Sequence, residues 1–537
     1  MIRQSGRWLV WDSEDEVPIT RIIGPDQASK GRAPVWPSIL KKAKELGIRL
    51  DKELEEKLIE NRRVRAELKR LRKLEDVPNV PGYDPDVVAR LFPHQRVALA
   101  YMDRFHSYLL ADQPGVGKTP VAILWAERRM KRRTLVIAPN SAKKQWEREI
   151  RRWSSMDFPI SVIEGRLNDQ SEIALRDGWV IGHWQTLTNI PDALMARSWD
   201  VVILDEAHAI RNRHTMTAQN AFRLVSRHRL AMTGHPYVNA PDELYSILHF
   251  LYPDLYSSFW TFWSMHIEAK ARYFGGFDIL GARDPKLLRW EIAPISLRRT
   301  KKQVFKNLPE ITRIPRYVEL TPKARAEYNR LRKEFFVELE SVDPDESNVL
   351  AIPSVLARVT RLRQYLIDPG LLGSKVKSPK YPEVLALINE LDGPPVIFTM
   401  FREAAEALGS FLQNAGLRTG AIHGKVSGRD RDHVQRRFLK GELDALIVTT
   451  QAGGTALNLG KYGYVIFLDL PWSAMELEQA ESRVDRPEEG TGRLVPTTSF
   501  RIIVSDSYEE KQEKILETKK SMFDEVFSAG QLKALFS

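Results

Sequence analysis

The chain has 537 residues, and its 81 basic and 70 acidic side chains give a formal net charge of +11. It contains no cysteine, which excludes disulfides, cysteine-ligated zinc modules and thiol catalysis. It lacks a run of about 18 apolar residues and begins without the apolar core of a signal peptide, so we expect no membrane span and no leader. The basic excess favours a polyanionic partner such as nucleic acid, although a soluble protein of basic pI would show the same balance.

The stretch from Leu50 to Glu75 has the composition of a helix with two distinct faces. At about 100° per residue, its basic side chains fall on one face: Arg62, Arg65, Lys69, Arg72 and Lys73. Its apolar side chains fall on the opposite face: Val64, Leu68, Leu71 and Leu74. The basic face is either a solvated surface of a helix packed on the rest of the protein, or a surface that lies along a phosphate backbone.

From Ala89 onward, short apolar runs alternate with helical patterns, which is typical of an α/β fold with parallel sheets. In a first block we predict buried strands in TLVIAPN, WVIGHWQTL, WDVVILDEAH and HRLAMTGHP. In a second block we predict strands in PPVIFTMF, DALIVTT and YVIFLDL. Residues 241–380, between the blocks, are predicted to be mostly helical and are rich in aromatic and basic side chains.

The stretch LLADQPGVGKTPVAIL resembles a phosphate-binding loop, except that Asp112 stands where the pattern G-x-x-x-x-G-K-[ST] begins with glycine. A strand before the loop and a helix after it would direct backbone N–H groups and the helix dipole at a phosphate. Lys118 would then reach the β- and γ-phosphates, and Thr119 would hold Mg²⁺. A glycine-rich turn that happens to carry Lys-Thr is the alternative.

The stretch VVILDEAH predicts a buried strand that ends in two carboxylates, Asp205 and Glu206. This arrangement suits a metal–phosphate site. Asp205 would act on Mg²⁺ mainly through its water shell, and Glu206 would orient and deprotonate an attacking water. The alternative is a strand that is capped by an acidic turn.

Four aromatic side chains lie close together in the region between the blocks: Phe259, Trp260, Phe262 and Trp263. They could serve as a platform for stacked bases. Helical spacing of aromatic residues is more typical of a protein core, which is the interpretation that we favour.

The motifs of the first block resemble those of superfamily II helicase-like ATPases. DQPGVGKT and DEAH correspond to motifs I and II, LFPHQRVALAYM to the adenine-side Q motif, and MTGHP to motif III, in which His235 replaces a threonine. The segment TGHPYVNAPDELYSILHFLYPDLYSSFWTFW is similar to the segment that follows motif III in the Swi/Snf-type translocases. That family writes its loop A-D-E-x-G-x-G-K-T, so Asp112 is expected there and Gln113 replaces a glutamate.

The second block continues the same resemblance. LRRTKKQVFKNLPEITRIPRYVELTPKARAEYNRL is similar to the family's bridge into a second lobe, SPKYPEVLALINEL to the start of that lobe, VIFTMF to motif IV, VTTQAGGTALNL to motif V and QAESRVDR to motif VI. The resemblance implies an α/β fold with two tandem RecA-like lobes, helical insertions between motifs III and IV, and a small N-terminal accessory region. The implied domains are residues 1–85, with DNA-structure recognition as a hypothesis, residues 86–305 as lobe 1 and residues 306–537 as lobe 2.

The resemblance also implies roles around ATP and Mg²⁺. The implied nucleotide-binding residues, with Gln95 as the base reader, are Gln95, Pro114, Gly115, Val116, Gly117, Lys118, Thr119 and Gln479. The implied catalytic residues are Lys118, Asp205, Glu206, Arg483 and Arg486, and the implied metal-binding residues are Thr119 and Asp205. Arg483 and Arg486 would be arginine fingers on the γ-phosphate, and their spacing of three would place them on one helix face. A solvated amphipathic helix is the alternative.

The resemblance further implies contacts with a nucleic-acid backbone by six residues: Asn140, Ser141, Thr186, Thr449, Gly453 and Gly454. Backbone contacts position a protein without reading bases, so we expect little sequence specificity. Ordinary turn chemistry at strand ends is the alternative for each of these residues.

The function expected from these motifs is an ATP-dependent translocase that hydrolyses ATP to ADP and phosphate to move along or remodel double-stranded or branched DNA, such as forks or recombination intermediates. The short segment between motifs V and VI leaves no room for the long hairpin with which some superfamily II enzymes separate strands. A strand-separating DNA or RNA helicase is the alternative. A nucleic-acid-binding scaffold with an inactive ATP site is disfavoured because Lys118, Asp205, Glu206 and Arg486 are present.

We expect a monomer without a membrane partner, in the cytoplasm of a bacterial, archaeal or virus-infected cell, or in the nucleus of a eukaryote. Replication, repair and transcription proteins are the candidate partners.

Overall fold

The computed structural model describes residues 2–5, 8–11, 22, 32–234, 241–271, 277–305, 309–340, 353–426, 428–450, 457, 459–486 and 495–517. The chain forms two compact units, Met1–Val304 and Phe305–Ser537. Among the described residues, none of the helices has both the length and the apolar character needed to cross a bilayer.

The strands of the first unit are β1 (Arg3–Ser5), β2 (Trp8–Val10), β3 (Arg32–Pro34), β4 (Ser107–Leu110), β5 (Arg133–Ala138), β6 (Ile160–Val162), β7 (Gly178–His183), β8 (Trp199–Asp205), β9 (Ser226–Met232), β10 (Ile267–Ala271), β11 (Phe277–Ala282) and β12 (Ser296–Leu297). Its helices are α1 (Pro37–Glu45), α2 (Lys52–Leu71), α3 (Pro85–Ala89), α4 (Pro93–Met102), α5 (Lys118–Glu127), α6 (Lys143–Trp153), α7 (Leu167–Ala174), α8 (Thr186–Asn189), α9 (Pro191–Met195), α10 (Met216–Arg223), α11 (Pro241–Leu251), α12 (Phe259–His266), α13 (Pro285–Ile292) and α14 (Lys301–Val304). Two short 3₁₀ helices lie at Asn140–Ala142 and Ala207–Ile210.

Seven of these strands form one sheet in the order β12-β4-β9-β8-β5-β7-β6, and every pair in it is parallel. The central strands are continuous apolar runs because helices cover both faces of such a sheet. All four strands predicted in the first block are present, as β5, β7, β8 and β9. The α/β class and the parallel sheet of the first lobe are therefore confirmed.

The N-terminal residues pack against this α/β unit. Strands β1, β2 and β3 form a small antiparallel sheet, and α1 and α2 follow it. Trp36, Ile39, Leu54 and Leu58 are buried in the same hydrophobic cluster as Leu135 of the central sheet. The apolar residues of α1 and α2 therefore belong to the core of the first unit, while the division into domains at residue 85 stays a prediction.

The region between the two predicted blocks is less helical than expected. Strands β10 and β11 form an antiparallel hairpin there, and β12 joins the edge of the large sheet beside β4. Phe262 is fully buried, as expected for a core residue, but Trp260 is 52% exposed. The core interpretation therefore holds for one face of α12 and fails for the other, because a helix at the surface buries only one side.

The second unit has its own parallel sheet. Its strands are β13 (Thr312–Val318), β14 (Val396–Thr399), β15 (Thr419–Ile422), β16 (Ala445–Thr449), β17 (Tyr464–Phe467) and β18 (Thr498–Val504). Its helices are α15 (Pro322–Glu340), α16 (Pro353–Ile367), α17 (Tyr381–Glu390), α18 (Arg402–Asn414), α19 (Gly428–Leu439), α20 (Ala474–Val484) and α21 (Tyr508–Glu517). The strand order is β13-β18-β17-β14-β16-β15, all parallel, so the second RecA-like lobe is confirmed and contains the three predicted strands as β14, β16 and β17.

A buried lysine ties the start of this second sheet together. Lys380 is fully buried, and its Nζ donates to the backbone oxygens of Leu468 at 2.8 Å and Ile502 at 2.9 Å and to Glu509 Oε1 at 2.7 Å. Three acceptors satisfy all three donors of the ammonium group, which a charge buried in this way requires.

Candidate nucleotide site and nucleic-acid contacts

Three neighbouring parallel strands end at the same edge of the first sheet. Leu110 at the end of β4 pairs with Met232 at the end of β9, and Met232 pairs with Asp205 at the end of β8. The chain segments that continue from these ends are the glycine-rich loop, Thr233-Gly234 and Glu206. The register therefore brings motifs I, II and III together, where ligands bind in open parallel sheets.

The loop that leads into α5 has the backbone of a phosphate-binding loop. Gly115 and Gly117 both have positive φ, at 85° and 86°, and Gly117 is the residue that caps α5. A Cβ at position 117 would also collide with the side-chain amide of Gln95. The backbone conformation thus requires glycine at this position, and a larger residue would also displace the Gln95 amide.

The aspartate that replaces the first glycine is bound by an arginine that lies two residues after the end of β12. Asp112 is buried, and both of its carboxylate oxygens accept hydrogen bonds from the Arg299 guanidinium. The Arg299 backbone N–H adds a third bond to Oδ1 at 2.8 Å, and its Nη1 donates to the His94 carbonyl at 2.6 Å. Sequence reasoning missed Arg299, although it lies in the quoted bridge segment LRRTKK.

The loop is also fastened to the first turn of α4. Gln95 Nε2 donates to the Gly117 carbonyl at 2.9 Å, and Gln95 Oε1 accepts from the Phe92 N–H at 2.8 Å. His94 Nε2 donates to the Val116 carbonyl at 2.9 Å, and burial lowers the pKa of His94. In this structure the Gln95 amide supports the loop, and its predicted contact with adenine stays a prediction.

Lys118 and Thr119 occupy the first turn of α5, and both are half-buried. Lys118 Nζ donates to the Asp112 carbonyl at 2.7 Å, so the ammonium group lies across its own loop. On the other side of the loop, a Cβ at Gly234 would lie 2.5 Å from Pro114 Cδ. The glycine of motif III is thus required by close packing against the phosphate-binding loop.

Asp205 and Glu206 are both buried at the end of β8. Asp205 Oδ2 accepts from the Trp146 indole N–H at 2.9 Å, and Asp205 Oδ1 accepts from the Glu206 backbone N–H at 3.0 Å. Burial and the adjacent Glu206 carboxylate raise the pKa of Asp205, while the Trp146 hydrogen bond and the Lys118 charge oppose the rise. Two carboxylates are therefore held close together with little water around them.

Glu206 has a left-handed backbone, with φ 54° and ψ 52°, which is rare for a residue other than glycine. Its Oε2 lies 3.4 Å from His208 Nδ1, which is also 3.4 Å from the Thr233 hydroxyl. A strained backbone that persists in a packed structure is typical of functional sites. The contacts link the acidic residue of motif II with the threonine of motif III.

The donors at this edge fit Mg²⁺. Hard oxygen ligands are what Mg²⁺ prefers, and it commonly takes only one or two from protein while phosphates and water supply the rest. The Asp205 carboxylate and the Thr119 hydroxyl are such oxygens, and a dication would favour the charged carboxylate against the burial and the Glu206 charge that raise the pKa of Asp205. Among the described residues, no group of three or more His, Cys, Asp or Glu side chains forms an all-protein metal cage.

The predicted nucleic-acid contacts of the first unit differ in accessibility. Asn140 is exposed and Ser141 half-buried in the 3₁₀ turn that follows β5. Thr186 is fully buried, and its hydroxyl accepts from the His183 backbone N–H at 3.0 Å and contacts His183 Nδ1 at 2.8 Å. The Thr186 side chain thus stabilises the turn after β7, and any contact with DNA at that turn stays a prediction.

In the second unit, Gln479 and Arg483 lie on α20, but Arg486 lies beyond the helix, which ends at Val484. The expectation that the two arginines share one helix face is therefore wrong. The backbone leaves the helix at Asp485, with ψ 72°, and Arg486 Nε turns back to the Ser482 carbonyl at 3.1 Å. Arg483 is buried, with its guanidinium 5.7 Å from the centre of the Phe398 ring.

Thr449 is buried at the last position of β16. Gly453 and Gly454 of motif V and His235 of motif III lie outside the described residues. The roles of these residues, like the catalytic and nucleotide-binding roles above, stay predictions.

Two arginines of the basic face predicted for α2 make packing contacts with the rest of the first unit. The Arg65 guanidinium stacks 3.6 Å from the centre of the Trp290 ring and donates to the Trp290 carbonyl, and burial lowers its pKa to about 10. Arg72 donates to the carbonyls of Ala293 and Ser296 at 3.0 and 2.8 Å. These two arginines hold α2 on the first unit, so the expectation of a five-residue solvent-facing surface is wrong for Arg65.

Comparison with known proteins places the chain in a family. The SNF2-related domain family matches residues 7–371, and the helicase conserved C-terminal domain family matches residues 379–488. YwqA of Bacillus subtilis, assigned by its name to the ATP-dependent helicases/translocases, is 26% identical over 86% of the chain and 51% of its own length. The mouse SWI/SNF-related matrix-associated actin-dependent regulator of chromatin subfamily A member 1 is 27% identical over 79% of the chain and 42% of its own length.

A solved structure described as the Sulfolobus solfataricus SWI2/SNF2 ATPase core in complex with dsDNA is 25% identical, covers 82% of this chain and 94% of its own, and superposes with a TM-score of 0.37. The chain spans about half the length of YwqA and about two fifths of that of the mouse protein. Because one family match alone covers more than half of the 537 residues, the chain belongs to the SNF2-related family of helicase-like ATPases.

Proposed function

We propose that the chain is a DNA-dependent ATPase that translocates on double-stranded DNA, converting ATP to ADP and phosphate to move along or remodel plain or branched DNA. The observation that carries this proposal is the register of β4, β9 and β8, which aligns the Lys118 loop, Thr233-Gly234 and the Asp205–Glu206 pair. A phosphate loop beside two buried carboxylates is an arrangement suited to phosphoryl transfer.

Each residue of this edge has a task in the proposed reaction. Lys118 neutralises phosphate charge, and Glu206 accepts a proton from the attacking water. Asp205 and Thr119 would hold Mg²⁺, which supplies charge stabilisation on the phosphate oxygens when it is bound. Arg483 and Arg486 are proposed to contact the γ-phosphate on the strength of the family motif.

Double-stranded DNA is the proposed track for two reasons. The net charge of +11 favours a phosphate polymer, and a related Sulfolobus ATPase core has been solved with dsDNA. Backbone contacts at the turn Asn140–Ala142, in which Asn140 is exposed, would position the protein without reading sequence.

A strand-separating helicase is the second candidate. Against it, residues 459–486 contain only β17, α20 and short turns, so the described part of the chain between motifs V and VI has no hairpin that could split a duplex. An inactive scaffold is disfavoured by the ordered contacts of Lys118, Asp205 and Glu206. We also propose a monomer that acts in the cytoplasm, or in the nucleus of a eukaryote, with replication, repair or transcription proteins.

The test is steady-state ATP hydrolysis without nucleic acid and then with duplex DNA, single-stranded DNA, forked DNA and RNA. The variant Lys118→Ala serves as the blank because it removes the phosphate-binding ammonium group. We expect strong stimulation by duplex or forked DNA in the wild type and none in the variant. Stimulation by single strands or RNA alone would favour the helicase, and no hydrolysis with any of them would favour the scaffold.

A further inference from the structure

The side chain of Trp146 connects the helix α6 to the acidic residue of motif II. Its indole ring is among the largest fully buried side chains, and its N–H donates to Asp205 Oδ2 at 2.9 Å. Asp205 Oδ1 is engaged separately by the Glu206 N–H at 3.0 Å. One donor on each oxygen fixes the rotation of the carboxylate, since both bonds are lost if the group turns.

Buried Trp153 also donates to a carboxylate, that of Glu149 on its own helix at 2.9 Å, but two other buried tryptophans of the same unit donate to backbone. Trp125 donates to the Met102 carbonyl at 3.1 Å, and Trp199 donates to the Leu194 carbonyl at 2.9 Å. These contacts satisfy a buried indole N–H with nearby backbone, which is the usual solution. Trp146 instead donates its indole N–H to the Asp205 carboxylate, 59 residues away along the chain, where Mg²⁺ is expected to bind.

The helix that carries Trp146 begins at the turn with the predicted DNA contacts. The 3₁₀ turn Asn140–Ala142 runs directly into α6, and Trp146 lies one helical turn further on. Lys143 anchors the start of the helix through a bond from Nζ to the Ile163 carbonyl at 3.1 Å. About one turn of helix therefore separates the predicted DNA contacts from the side chain that donates to Asp205.

We propose that Trp146 is a positioning residue that holds the Asp205 carboxylate in place for Mg²⁺, and that DNA bound at Asn140–Ala142 acts on the nucleotide site through Trp146. The coupling to DNA rests on the proposed function. The positioning of a metal ligand rests on the oxygen ligands that Asp205 and Thr119 offer to Mg²⁺. Groups that orient a metal ligand commonly change metal affinity or activity by about 10–100-fold when they are replaced.

The test compares Trp146→Phe with Trp199→Phe. Both substitutions remove an indole N–H from a buried ring and leave a similar small void, but Trp199 lies at the start of β8 and its indole N–H donates to a backbone carbonyl. Binding of a fluorescent ADP analogue is titrated with Mg²⁺, and again in EDTA, and thermal unfolding is recorded for both variants. We expect Trp146→Phe to need about tenfold more Mg²⁺ for half-maximal binding, with unchanged binding in EDTA and no such change in Trp199→Phe.

An unchanged Mg²⁺ requirement in Trp146→Phe, or an equal change in Trp199→Phe, would overturn the positioning role. If Trp146→Phe lowers the unfolding temperature more than its control, the pair Asp205→Asn and Asp205→Asn/Trp146→Phe decides the question. The second substitution should then add no further loss of Mg²⁺-dependent binding, and an added loss would show that Trp146 acts by packing alone.

The DNA half is measured as the ratio of hydrolysis rates with and without duplex DNA at saturating Mg²⁺. We expect Trp146→Phe to lower this ratio while its affinity for duplex DNA stays at the wild-type value. An unchanged ratio would overturn the coupling. If the wild type itself shows no DNA-stimulated hydrolysis, the proposed function fails, and the nucleotide-binding titration still tests the positioning role.

Discussion

At the residue scale, the most informative position is Asp112, because it departs from the general phosphate-loop pattern and is buried. Its pairing with Arg299 joins the loop to the segment after β12 by three hydrogen bonds. Asp112 therefore stabilises the conformation of the loop. Because its partner Arg299 lies near the C-terminal end of the first unit, the loop geometry depends on that segment.

We expect Arg299→Gln to lower the free energy of unfolding by about 3–5 kcal/mol, since removal of one partner leaves a buried carboxylate uncompensated. Nucleotide affinity should fall with it because the loop loses its clamp. The matched control is Arg151→Gln, whose pair with Glu147 on α6 is exposed and should contribute little. Chemical denaturation of the two variants measures the difference, and equal midpoints would contradict the clamp.

At the element scale, α1 and α2 are part of the core of the first unit. Trp36, Ile39, Leu54 and Leu58 share its hydrophobic cluster, and Arg65 and Arg72 bind carbonyls of α13 and the residues after it. Deletion of the residues before residue 75 would expose the part of the hydrophobic cluster that α1 and α2 cover, so we expect the truncated chain to unfold or aggregate. Loss of activity on truncation would thus not identify a DNA-recognition domain.

One junction in this packing is sensitive to acid. His266 at the end of α12 stacks on Trp36 with ring centres 6.1 Å apart and lies tilted against Phe262 with ring centres 4.8 Å apart. Its nitrogens have no hydrogen-bond partner among the described residues. Burial lowers the pKa of His266 to about 4, with Lys42 and Arg283 adding to the fall and Asp284 opposing it.

Since the unfolded chain has an ordinary histidine pKa near 6.5, it binds more protons than the folded protein between that pH and about 4. The contribution of His266 to stability is therefore complete above pH 6.5 and falls as the pH drops through this window. We expect His266→Phe to flatten the fall in unfolding midpoint between pH 7 and pH 4.5, with the exposed His214→Phe as control. A fall as steep as that of the wild type would show that His266 does not titrate on unfolding.

At the scale of the whole molecule, the excess of basic residues is expected to bind DNA through basic side chains that remain exposed to solvent. Of the basic face predicted for α2, the side chains of Arg62 and Lys69, together with that of Lys73 just after the helix, are exposed in this way. They are the remaining candidates for recognition of DNA structure by the N-terminal region.

We expect Arg62→Glu/Lys69→Glu/Lys73→Glu to weaken DNA binding and to reduce its dependence on salt by about one unit of slope per lost phosphate contact, with little effect on folding. The charge-matched control is Lys323→Glu/Arg330→Glu/Lys333→Glu, on the exposed side of α15. Binding to plain and forked duplexes is measured over a range of salt concentrations. A larger loss on forks would support structure recognition, and an equal loss on both would contradict it.

The sequence by itself determined the elements and the motifs, because these depend on local patterns. Continuous apolar runs predict parallel strands that are buried on both faces. Gly115 and Gly117 predict the loop before α5, where both have positive φ. The order of motifs I to VI along the chain then indicated the family that the comparisons show. Two local predictions were wrong: the region between the blocks also contains the β10–β11 hairpin, and Arg483 and Arg486 do not share a helix face because the helix ends between them.

Only the tertiary structure decided which side chains meet. Asp112 and Arg299 are 187 residues apart, Arg65 and Trp290 are 225 apart, and Trp146 and Asp205 are 59 apart. No periodicity or spacing rule connects such residues, since each contact depends on how strands are ordered in a sheet and how helices cover it. The physical reason is that backbone conformation is a local property, whereas the partner of a buried charge or indole is set by the packing of distant elements.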